Sequence, residues 1–582
     1  MESEQQRRKR KRFYRSYAYT KLLSLRSLLL SSTTFVFLFF ICSHRFTFHT
    51  ASFHPAVRVS SSLSLSLSRL VLDSSSINTN IQLPIRVEDR VVFTDHLLLI
   101  VSDKIIDQSL VLECLYYSND SVNRQVISQR AFSFDEFQEH KSIVRCPLPR
   151  TNYSSLVTLK RTGDVADADW SRQMVKNQSV LYWDRLAYVA ALDGNSVLVF
   201  VKGLNLRPHR ESNPSQLLCK FGFGSLEKDQ GFVFTAKAIK AAQEVVRCLL
   251  PRSIRNNADK AQEVRVTVVH ANDAVPVPSM ARIHDLKSSK IIQGQKYELC
   301  ACTMLWNQAF ALREWIMYHA WLGVDRWFIY DNNSDDGIEE VIDELELKNY
   351  NVSRHVWPWI KSQEAGFSHC ALRARSECKW VGFFDVDEFF FFPPQGGRQV
   401  VSSQNGLRSL IANYSSSSNT IAEIRTDCHS FGPSGLSSHP LQGVTAGYTC
   451  RLQSSERHKS IVRPEALDLS LLNIVHHFKL RVGFRYLNVP ETTAVINHYK
   501  YQAWETFKAK FYRRVSSYVV DWQEDQNKGS KDRAPGLGTE AVEPPDWGRR
   551  FCEVWDTGLR DFVLANFADA ATGFLPWERS LR

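Results

Sequence analysis

The stretch KWVGFFDVDEFFFF, residues 379–392, decides the fold, because a strongly apolar run ends there in the acidic triplet Asp385-Val386-Asp387. In extended backbone, residues i and i+2 point the same way, so both carboxylates can face one cation. Carboxylate oxygens suit Mg²⁺ or Mn²⁺. Two unpaired carboxylates beside so many phenylalanines would be costly to bury, so the triplet predicts a divalent metal site. The structural alternatives are an exposed turn and a helix N-cap.

From about residue 296 up to this stretch, strand patterns alternate with helix patterns. Segment 309–322 is apolar on nearly every side, which predicts a buried helix. The next helix has apolar residues at positions 338, 341, 342 and 345, and Asp335 or Asp336 can cap it. Such alternation predicts a parallel α/β sheet that binds ligands at the carboxyl ends of its strands. The predicted strands are 297–306, 325–333 and 350–359, and a third helix is predicted at 363–378. Segment 378–392 is predicted to be a strand that runs into an acidic turn.

A second polar turn, YDNNSDDG at 330–337, also follows a predicted strand. Its short polar side chains can accept the imide and ribose hydroxyl protons of uridine, which makes it a candidate nucleotide site. The alternative is an ordinary capped turn. Asn332 also begins a glycosylation sequon, and a nucleotide site predicts that this sequon stays bare. The candidate nucleotide-binding residues here are Asp331, Asn332, Asn333 and Asp336.

The blocks ELCACTMLWNQ, REWIMYHAWLGVDRWFIYDNNSDDG and HCALRARSECKWVGFFDVDEFFFFP, in this order, resemble glycosyltransferase family 92. The resemblance covers roughly residues 296–515 and is closest to the plant members, which include pectic β-1,4-galactan synthases. It implies a GT-A fold, a UDP-sugar donor, Mn²⁺, inversion at the anomeric carbon and a type II Golgi membrane topology. A cell-wall polysaccharide such as pectic galactan would be the acceptor, and the sequence leaves the oligomeric state open, a homodimer included.

Carried over residue by residue, the resemblance assigns the metal to Asp385 and Asp387, and the nucleotide to Asp331, Asn332 and Asn333. GT-A enzymes often use a late histidine as a third metal ligand, although a lone histidine is more often a core residue. The histidine candidates are His476, His477 and His498. Basic residues that can neutralise the diphosphate, or simply face solvent, are Lys459, Arg463, Lys508, Lys510 and Arg513.

Inversion by direct displacement needs a base for the acceptor hydroxyl. Glu364, Glu423 and Asp427 fall in suitable loops, and the sequence does not choose among them. Trp357 and Trp359 can stack on sugar rings or form core and turn. A disulfide between Cys428 and Cys450 would clamp the glycine-containing loop that separates them.

Residues 86–285 read as short β-strands and contain a weak repeat, in which an apolar strand with one cysteine precedes a hydrophobic-Arg-Cys-x-Leu-Pro-Arg ending. The repeat predicts two β units stapled by Cys114–Cys146 and Cys219–Cys248. We expect a β-sandwich-like accessory domain ahead of the transferase domain at 296–582, with a glycan-binding or a purely structural role.

The N-terminal region carries most of the charge. Residues 1–26 hold nine Lys/Arg and two Glu, a net of +7 in a chain of net +11, and the uncharged segment 27–43 follows. A basic flank before such a segment predicts a signal anchor, with a short cytosolic tail and a lumenal remainder. A cleaved signal peptide is the alternative, and a soluble cytosolic protein is least favoured. Ser-rich residues 44–85 read as a flexible stem.

The remaining composition excludes several classes of protein. The chain beyond residue 26 has a net charge of only +4, which disfavours a nucleic-acid binder. Eleven cysteines beyond Cys42 fit an oxidising compartment, and their odd number leaves at least one unpaired within the chain. No Walker loop, HExxH or GxSxG occurs. The competing hypothesis is a glycan-binding protein with a degenerate transferase domain, and the intact acidic triplet argues against it.

Overall fold

A computed structural model describes residues 85–578 apart from the gaps 103–110, 119–124, 139–140, 163–179, 205, 223–231, 256–257, 263, 274, 287–295, 395–403, 475 and 511–541. The predicted tail 1–26, membrane segment 27–43 and nearly all of the stem 44–85 lie outside the described residues. Within the described part of the chain, no helix is both long and apolar enough to cross a bilayer.

The first β unit is built from two sheets that pack face to face. Strands β5-β6-β2-β1-β8 form one sheet and β4-β3-β7 the other. Cys114 of β3 and Cys146 of β6 are bonded, so the predicted disulfide joins the two sheets through their shared core. The strands are β1 Val87–Val92, β2 His96–Val101, β3 Leu112–Tyr117, β4 Val126–Arg130, β5 Ser133–Phe137, β6 Lys141–Pro147, β7 Thr158–Arg161 and β8 Val180–Tyr182.

The second β unit is one sheet of order β14-β11-β12-β13-β10-β9-β15. The long strand β12 pairs with β11 along its first half and with β13 along its second, with a register shift between Ala238 and Lys240. The predicted Cys219–Cys248 disulfide joins β11 to β13, the two strands that pair with β12 on either side of this register shift. The elements are β9 Ala187–Asp193, β10 Ser196–Val201, β11 Leu217–Gly222, β12 Phe232–Ala242, β13 Val245–Leu249, β14 Arg265–His270, β15 Ile283–His284, α1 Arg252–Arg255 and α2 Ala258–Ala261.

The α/β region contains a mixed sheet of order β18-β17-β16-β19-β23-β21-β27-β20, with β26 paired to β21. Its first four strands are parallel, as the strand–helix alternation predicts, whereas β23 is antiparallel to β19. The strands are β16 Tyr297–Leu305, β17 Arg326–Asp331, β18 Val352–Val356, β19 Cys378–Phe383, β20 Glu388–Phe391, β21 Ile421–Ser430, β22 Cys450–Arg451, β23 Arg457–Val462, β24 Asn473–Ile474, β25 His477–Phe478, β26 Arg485–Asn488, β27 Val495–His498 and β28 Val554–Trp555. The helices are α3 Ala309–Trp321, α4 Ile338–Leu347, α5 Gln363–Glu377, α6 Gly406–Ser417, α7 Val444–Gly447 and α8 Gly558–Phe567.

Segment 378–392 forms a strand that runs into an acidic turn, as predicted, and a second strand follows the turn. β19 ends at Phe383, and β20 pairs with β27 at the other edge of the sheet. The intervening turn is closed by two hydrogen bonds, from Glu388 N to Asp385 O (3.0 Å) and from Asp385 N to Glu388 Oε2 (2.9 Å). The triplet therefore sits at the carboxyl end of a parallel strand.

One hydrophobic core runs through both β units and the α/β sheet. Phe93 of the first unit and Tyr188 of the second both contact Trp359, with ring centroids 6.2 and 4.7 Å apart. Trp357 and Trp359 are 3% and 2% exposed, which fits the core-and-turn interpretation of these two residues. The β units are thus packed on the α/β region through shared apolar residues.

Two local predictions are wrong. Cys450 is bonded to Cys552, and Cys428 is a free, buried thiol, so no disulfide clamps the loop between Cys428 and Cys450. Two further disulfides tie β16 to β19 and to α5: Cys300–Cys378 and Cys302–Cys370.

The second wrong prediction concerns the helix cap. Gly337, in the left-handed conformation (φ 75°), precedes α4, and neither Asp335 nor Asp336 caps that helix. Asp336 Oδ2 instead accepts a hydrogen bond from the first backbone N–H of α3, at Ala309 (2.7 Å). The four apolar positions of α4 are buried as predicted.

Candidate active site

A cleft of about 900 Å³ opens over the carboxyl ends of the parallel strands. Its floor includes Asp385, Asp387 and His498, and one side is formed by the turns that follow β17 and β18. The first β unit, which contacts these turns, also contributes residues to the lining. The cleft thus brings together the two polar turns that the sequence singles out, as expected for strands that end at one edge of a sheet.

Asp385 is the more accessible of the two aspartates, with a side chain 25% exposed. Its Oδ2 lies 2.9 Å from Lys459 Nζ and 3.7 Å from His476 Nε2. Burial alone would raise the pKa of Asp385, but the charge and hydrogen bond of Lys459, together with His476, outweigh it and hold that pKa below its ordinary value. Asp385 is therefore a carboxylate at neutral pH.

Asp387 is 5% exposed, and its carboxylate pairs with Lys510 and lies 3.6 Å from His498 Nε2. Burial opposes ionisation here too, yet Lys510 and His498 keep the pKa of Asp387 well below its usual range. Burial lowers the pKa of His498 to about 4, so its imidazole is neutral. A neutral imidazole beside a carboxylate is a competent metal ligand.

Glu388 completes the cluster and was not among the sequence candidates. It is fully buried, with Oε1 2.8 Å from Lys459 Nζ and 3.7 Å from His498 Nδ1. Burial and the neighbouring aspartates raise its pKa to about 8. The residue stands directly after the triplet, so a search for all acidic residues at the strand end would have included it.

The donor set fits a hard divalent cation. Ligand atoms of Asp387, Glu388 and His498 lie within 4.8 Å of one another, and Asp385 lies on the same turn. Carboxylate oxygens with one imidazole nitrogen suit Mn²⁺, and the carboxylates alone suit Mg²⁺. Lys459 and Lys510 supply positive charge at the same carboxylates. The site therefore has groups for holding both a divalent cation and an anionic ligand.

The turn after β17 places its residues unequally. Asn332 and Asn333 line the cleft, and their side-chain amides donate to the carbonyls of Trp357 (2.7 Å) and Pro358 (3.3 Å). Asp331 is fully buried beneath them, where Oδ1 accepts from Ser334 N (2.9 Å). Asp331 is thus placed to hold the turn, and Asp336 points to α3.

Arg354 of β18 holds the buried side of this turn, where Asp331 lies. Its guanidinium contacts Asp331 Oδ2 (2.7 Å), Asp135 Oδ1 of the first β unit (2.9 Å) and Glu339. Three carboxylates share one cation, and burial together with Asp135 raises the pKa of Glu339 to about 7. The cluster joins the nucleotide-turn candidates to the β unit.

Several sequence candidates lie away from the cleft. β23 is antiparallel to β19, so Lys459 at its beginning meets the acidic turn, whereas Arg463 lies beyond its far end and donates to Asn419 O (3.0 Å). Four strand residues span roughly 13 Å, which explains the separation. Of the described histidine candidates, His477 pairs with Glu423 (2.8 Å) rather than with the aspartates.

The three base candidates also lie outside the cleft lining. Glu423 is buried between Arg425, Ser460 and His477. Glu364 begins α5 near Glu244 of the second β unit, whose raised pKa comes first from burial and partly from Glu364. Asp427 lies on β21, and burial and Glu491 raise its pKa.

Comparison with known proteins gives the family. A model of glycosyltransferase family 92 matches residues 295–533. A family 92 protein of Ricinus communis is 62% identical over 590 residues, covering 100% of both chains. The chain belongs to glycosyltransferase family 92. A family 92 protein of Arabidopsis thaliana is 53% identical over 583 residues, covering 98% of both chains. A β-1,4-galactosyltransferase of Caenorhabditis elegans is 27% identical over 179 residues, 28% of this chain and 40% of that relative.

Likenesses to solved structures are distant. A mannosyltransferase of Pyrobaculum calidifontis, in complex with GDP-Man and Mn²⁺, has a TM-score of 0.25 and 10% identity over 38% of this chain and 62% of its own. TarS of S. aureus has a TM-score of 0.22 and 10% identity over 39% of this chain and 68% of its own. Family membership therefore rests on the sequence relatives, and it supports a glycosyltransferase.

Proposed function

We propose that this family 92 protein transfers a sugar from a UDP-sugar to a polysaccharide, in a metal-dependent reaction on a GT-A-type domain. The observation that carries the proposal is the placement of Asp385 and Asp387 at the carboxyl end of β19, in one cleft with His498 and the Asn332–Asn333 turn. The competing hypothesis of a degenerate transferase domain finds no support in this cluster, because its carboxylates and imidazole are all present.

Asp385, Asp387 and His498 would hold Mn²⁺ or Mg²⁺. Such an ion, when bound, supplies positive charge to the leaving diphosphate. Lys459 and Lys510 add two ammonium groups at the same place. The lysines and the cation together outweigh the charge of the aspartates, so a diphosphate is the anion that this end of the cleft is built to neutralise.

The donor we propose is UDP-galactose, and the acceptor a cell-wall galactan. Support comes from the likeness to the Caenorhabditis β-1,4-galactosyltransferase and from the resemblance of the family blocks to plant galactan synthases. The Asn332 and Asn333 side chains at the cleft are the groups proposed to meet the uridine.

Inversion requires a base that reaches the acceptor hydroxyl. Glu364, Glu423 and Asp427 do not line the cleft, so none of them is proposed as this base.

We also propose a Golgi membrane protein of type II topology, with the described region in the lumen. The five disulfides among the described residues support an oxidising compartment. The basic tail 1–26 and uncharged segment 27–43 support the orientation.

A screen of UDP-sugars tests the proposal. The purified chain is incubated with Mn²⁺, each UDP-sugar and a set of oligosaccharides that includes β-1,4-galactan, and the product linkage is mapped. We expect galactose transfer by the wild type and none by Asp387→Asn. If the folded wild type neither transfers sugar nor releases UDP from any donor, the enzymatic function is wrong.

A further inference from the structure

The first β unit forms one wall of the active-site cleft. The residues it contributes come from the β1–β2 turn and the start of β2, from β5 and the residue before it, and from β6. They are Thr94, Asp95, His96, Phe132, Ser133, Phe134, Asp135 and Arg145. A domain that served only to bind glycan elsewhere would not need to line the cleft at the carboxyl ends of the parallel strands.

This wall is fixed in place. Both terminal nitrogens of Arg354 lie 2.9 Å from Asp135 Oδ1. Arg145 Nη1 donates to the backbone carbonyl of Asn333 (3.2 Å), in the turn whose left-handed φ of 65° exposes that carbonyl. Phe93, from the same unit, packs on Trp359 in the shared core. Direct contacts therefore join the wall to the turn that follows β17.

The wall stands at one end of the cleft, and the acidic turn stands at the other. The β unit contacts β18 and the turn after β17, which are three and two strands away from β19. At about 4.8 Å per strand, the two ends are separated by roughly 10 to 14 Å. A ligand that reaches from the metal cluster to the wall must be elongated, as a nucleoside diphosphate is.

Charge sets the direction in which such a ligand lies. The ammonium groups of Lys459 and Lys510 stand at the acidic turn, where they attract phosphate. At the wall and the adjoining turns, five acidic residues outnumber three basic ones and leave an excess of negative charge: Asp95, Asp135, Asp335, Glu339 and Glu340 against Arg145, Arg354 and Lys361. Phosphates are repelled from the wall, so the uncharged base is the part of the nucleotide that belongs there.

Phe132 is the side chain suited to that base. It lines the cleft but is 63% exposed, whereas Phe134, two residues on, packs against the core of the β unit. The backbone N–H of Phe132 donates to Arg145 O (2.7 Å). Phe132 is therefore bonded to the residue that also contacts Asn333. An exposed ring on a rigid wall offers a face on which a flat base stacks.

We infer that the first β unit is part of the donor site and that Phe132 stacks on the nucleobase of the UDP-sugar. This inference rests on the proposed function, which supplies the nucleotide. It assigns the β unit a role in donor binding, in place of a separate glycan-binding role.

Calorimetry on the full chain with Mn²⁺ tests the inference, with UDP and inorganic pyrophosphate as the two ligands. Phe132→Ala should weaken UDP binding roughly tenfold, the loss expected for one base–aromatic stack, and leave pyrophosphate binding unchanged. Phe132→Tyr should restore UDP binding. Phe574→Ala is the matched control, because Phe574 is 62% exposed and does not line the cleft.

The outcomes separate the two hypotheses. A wild type that binds UDP, with a Phe132→Ala variant that binds it equally well, overturns this inference alone. An equal loss for UDP and pyrophosphate also overturns it, since the ring would then not act on the base. A wild type that binds neither ligand overturns the proposed function and this inference with it.

Discussion

Lys459 Nζ lies 2.9 Å from Oδ2 of Asp385, although 74 residues separate the two in sequence. The contact forms because β23 runs antiparallel to β19, so the beginning of one strand meets the end of the other. The same ammonium also lies 2.8 Å from Glu388 Oε1. Lys459 therefore stabilises the acidic turn and adds positive charge beside its carboxylates.

Replacing Arg354 should destabilise the fold strongly. Arg354→Ala leaves Asp331, which is fully buried, without its counter-ion, and we expect a loss of about 3 to 5 kcal/mol in the free energy of unfolding. Urea denaturation measures the loss. Arg408→Ala is the control, because that ion pair with Asp325 is surface-exposed and should cost less than about 1 kcal/mol. Equal losses in the two variants would contradict the structural role of Arg354.

Glu314 should make stability depend on pH. Its carboxyl is buried in α3 and accepts from the N–H groups of Val444 and Thr445, and burial raises its pKa to about 7. The folded state therefore holds the proton more tightly than the unfolded state, whose ordinary pKa is 4.5. The stabilisation is complete below pH 4.5 and is lost as the pH rises to about 7, by roughly 3 kcal/mol.

Chemical denaturation at a series of pH values measures this effect. Glu314→Gln should flatten the decline between pH 4.5 and 7, while Glu346→Gln, on the exposed face of α4, should leave it unchanged. A wild-type curve that rises across this window after subtraction of the Gln variant would show that the carboxyl titrates in the opposite sense.

Glycosylation should distinguish the four described sequons. The amide nitrogens of Asn332 and Asn351 donate to Trp357 O and Tyr297 Oη, both at 2.7 Å, so a glycan there would break these bonds. Asn152 and Asn413 are exposed. Mass spectrometry of the protein from a secretory host should find glycans at Asn152 and Asn413 and bare Asn332 and Asn351. An occupied Asn332 would be incompatible with the cleft as described.

Among the described residues, Cys428 should be the single free thiol, and it should be protected from alkylation. Burial raises the pKa of Cys428, so alkylation under native conditions should spare it. After unfolding without a reductant, mass spectrometry should find Cys428 modified and Cys450 and Cys552 still bonded. Modification of either partner in place of Cys428 would show a different pairing.

The sequence predicted the features that depend on local periodicity. The strand–helix alternation gave β16 to β19 and the helices between them, because buried positions recur at the period of each element. It also gave the two β units and their disulfides, since each cysteine pair sits in a repeated local pattern. The Asp385–Asp387 turn followed from the apolar strand before it.

Features that depend on long-range pairing could not be predicted from the sequence. Nothing local shows that β23 is antiparallel, so Lys459 and Arg463 looked equivalent, although only Lys459 meets the acidic turn. The pairing of Cys450 with Cys552 spans 102 positions, and spacing alone does not fix such connectivity. The contact of Asp135 with Arg354 joins the first β unit to the α/β region. The sequence around either residue gives no indication of its partner.

The binding of Mn²⁺, followed by electron paramagnetic resonance of the free ion, tests the central claim most directly, because it needs neither the donor nor the acceptor. We expect the wild type to bind Mn²⁺, Asp387→Asn to bind it at least roughly tenfold more weakly, and Asp561→Asn, an exposed control on α8, to match the wild type. Equal affinity in the wild type and Asp387→Asn, or no binding by the folded wild type, would contradict a metal site at the end of β19.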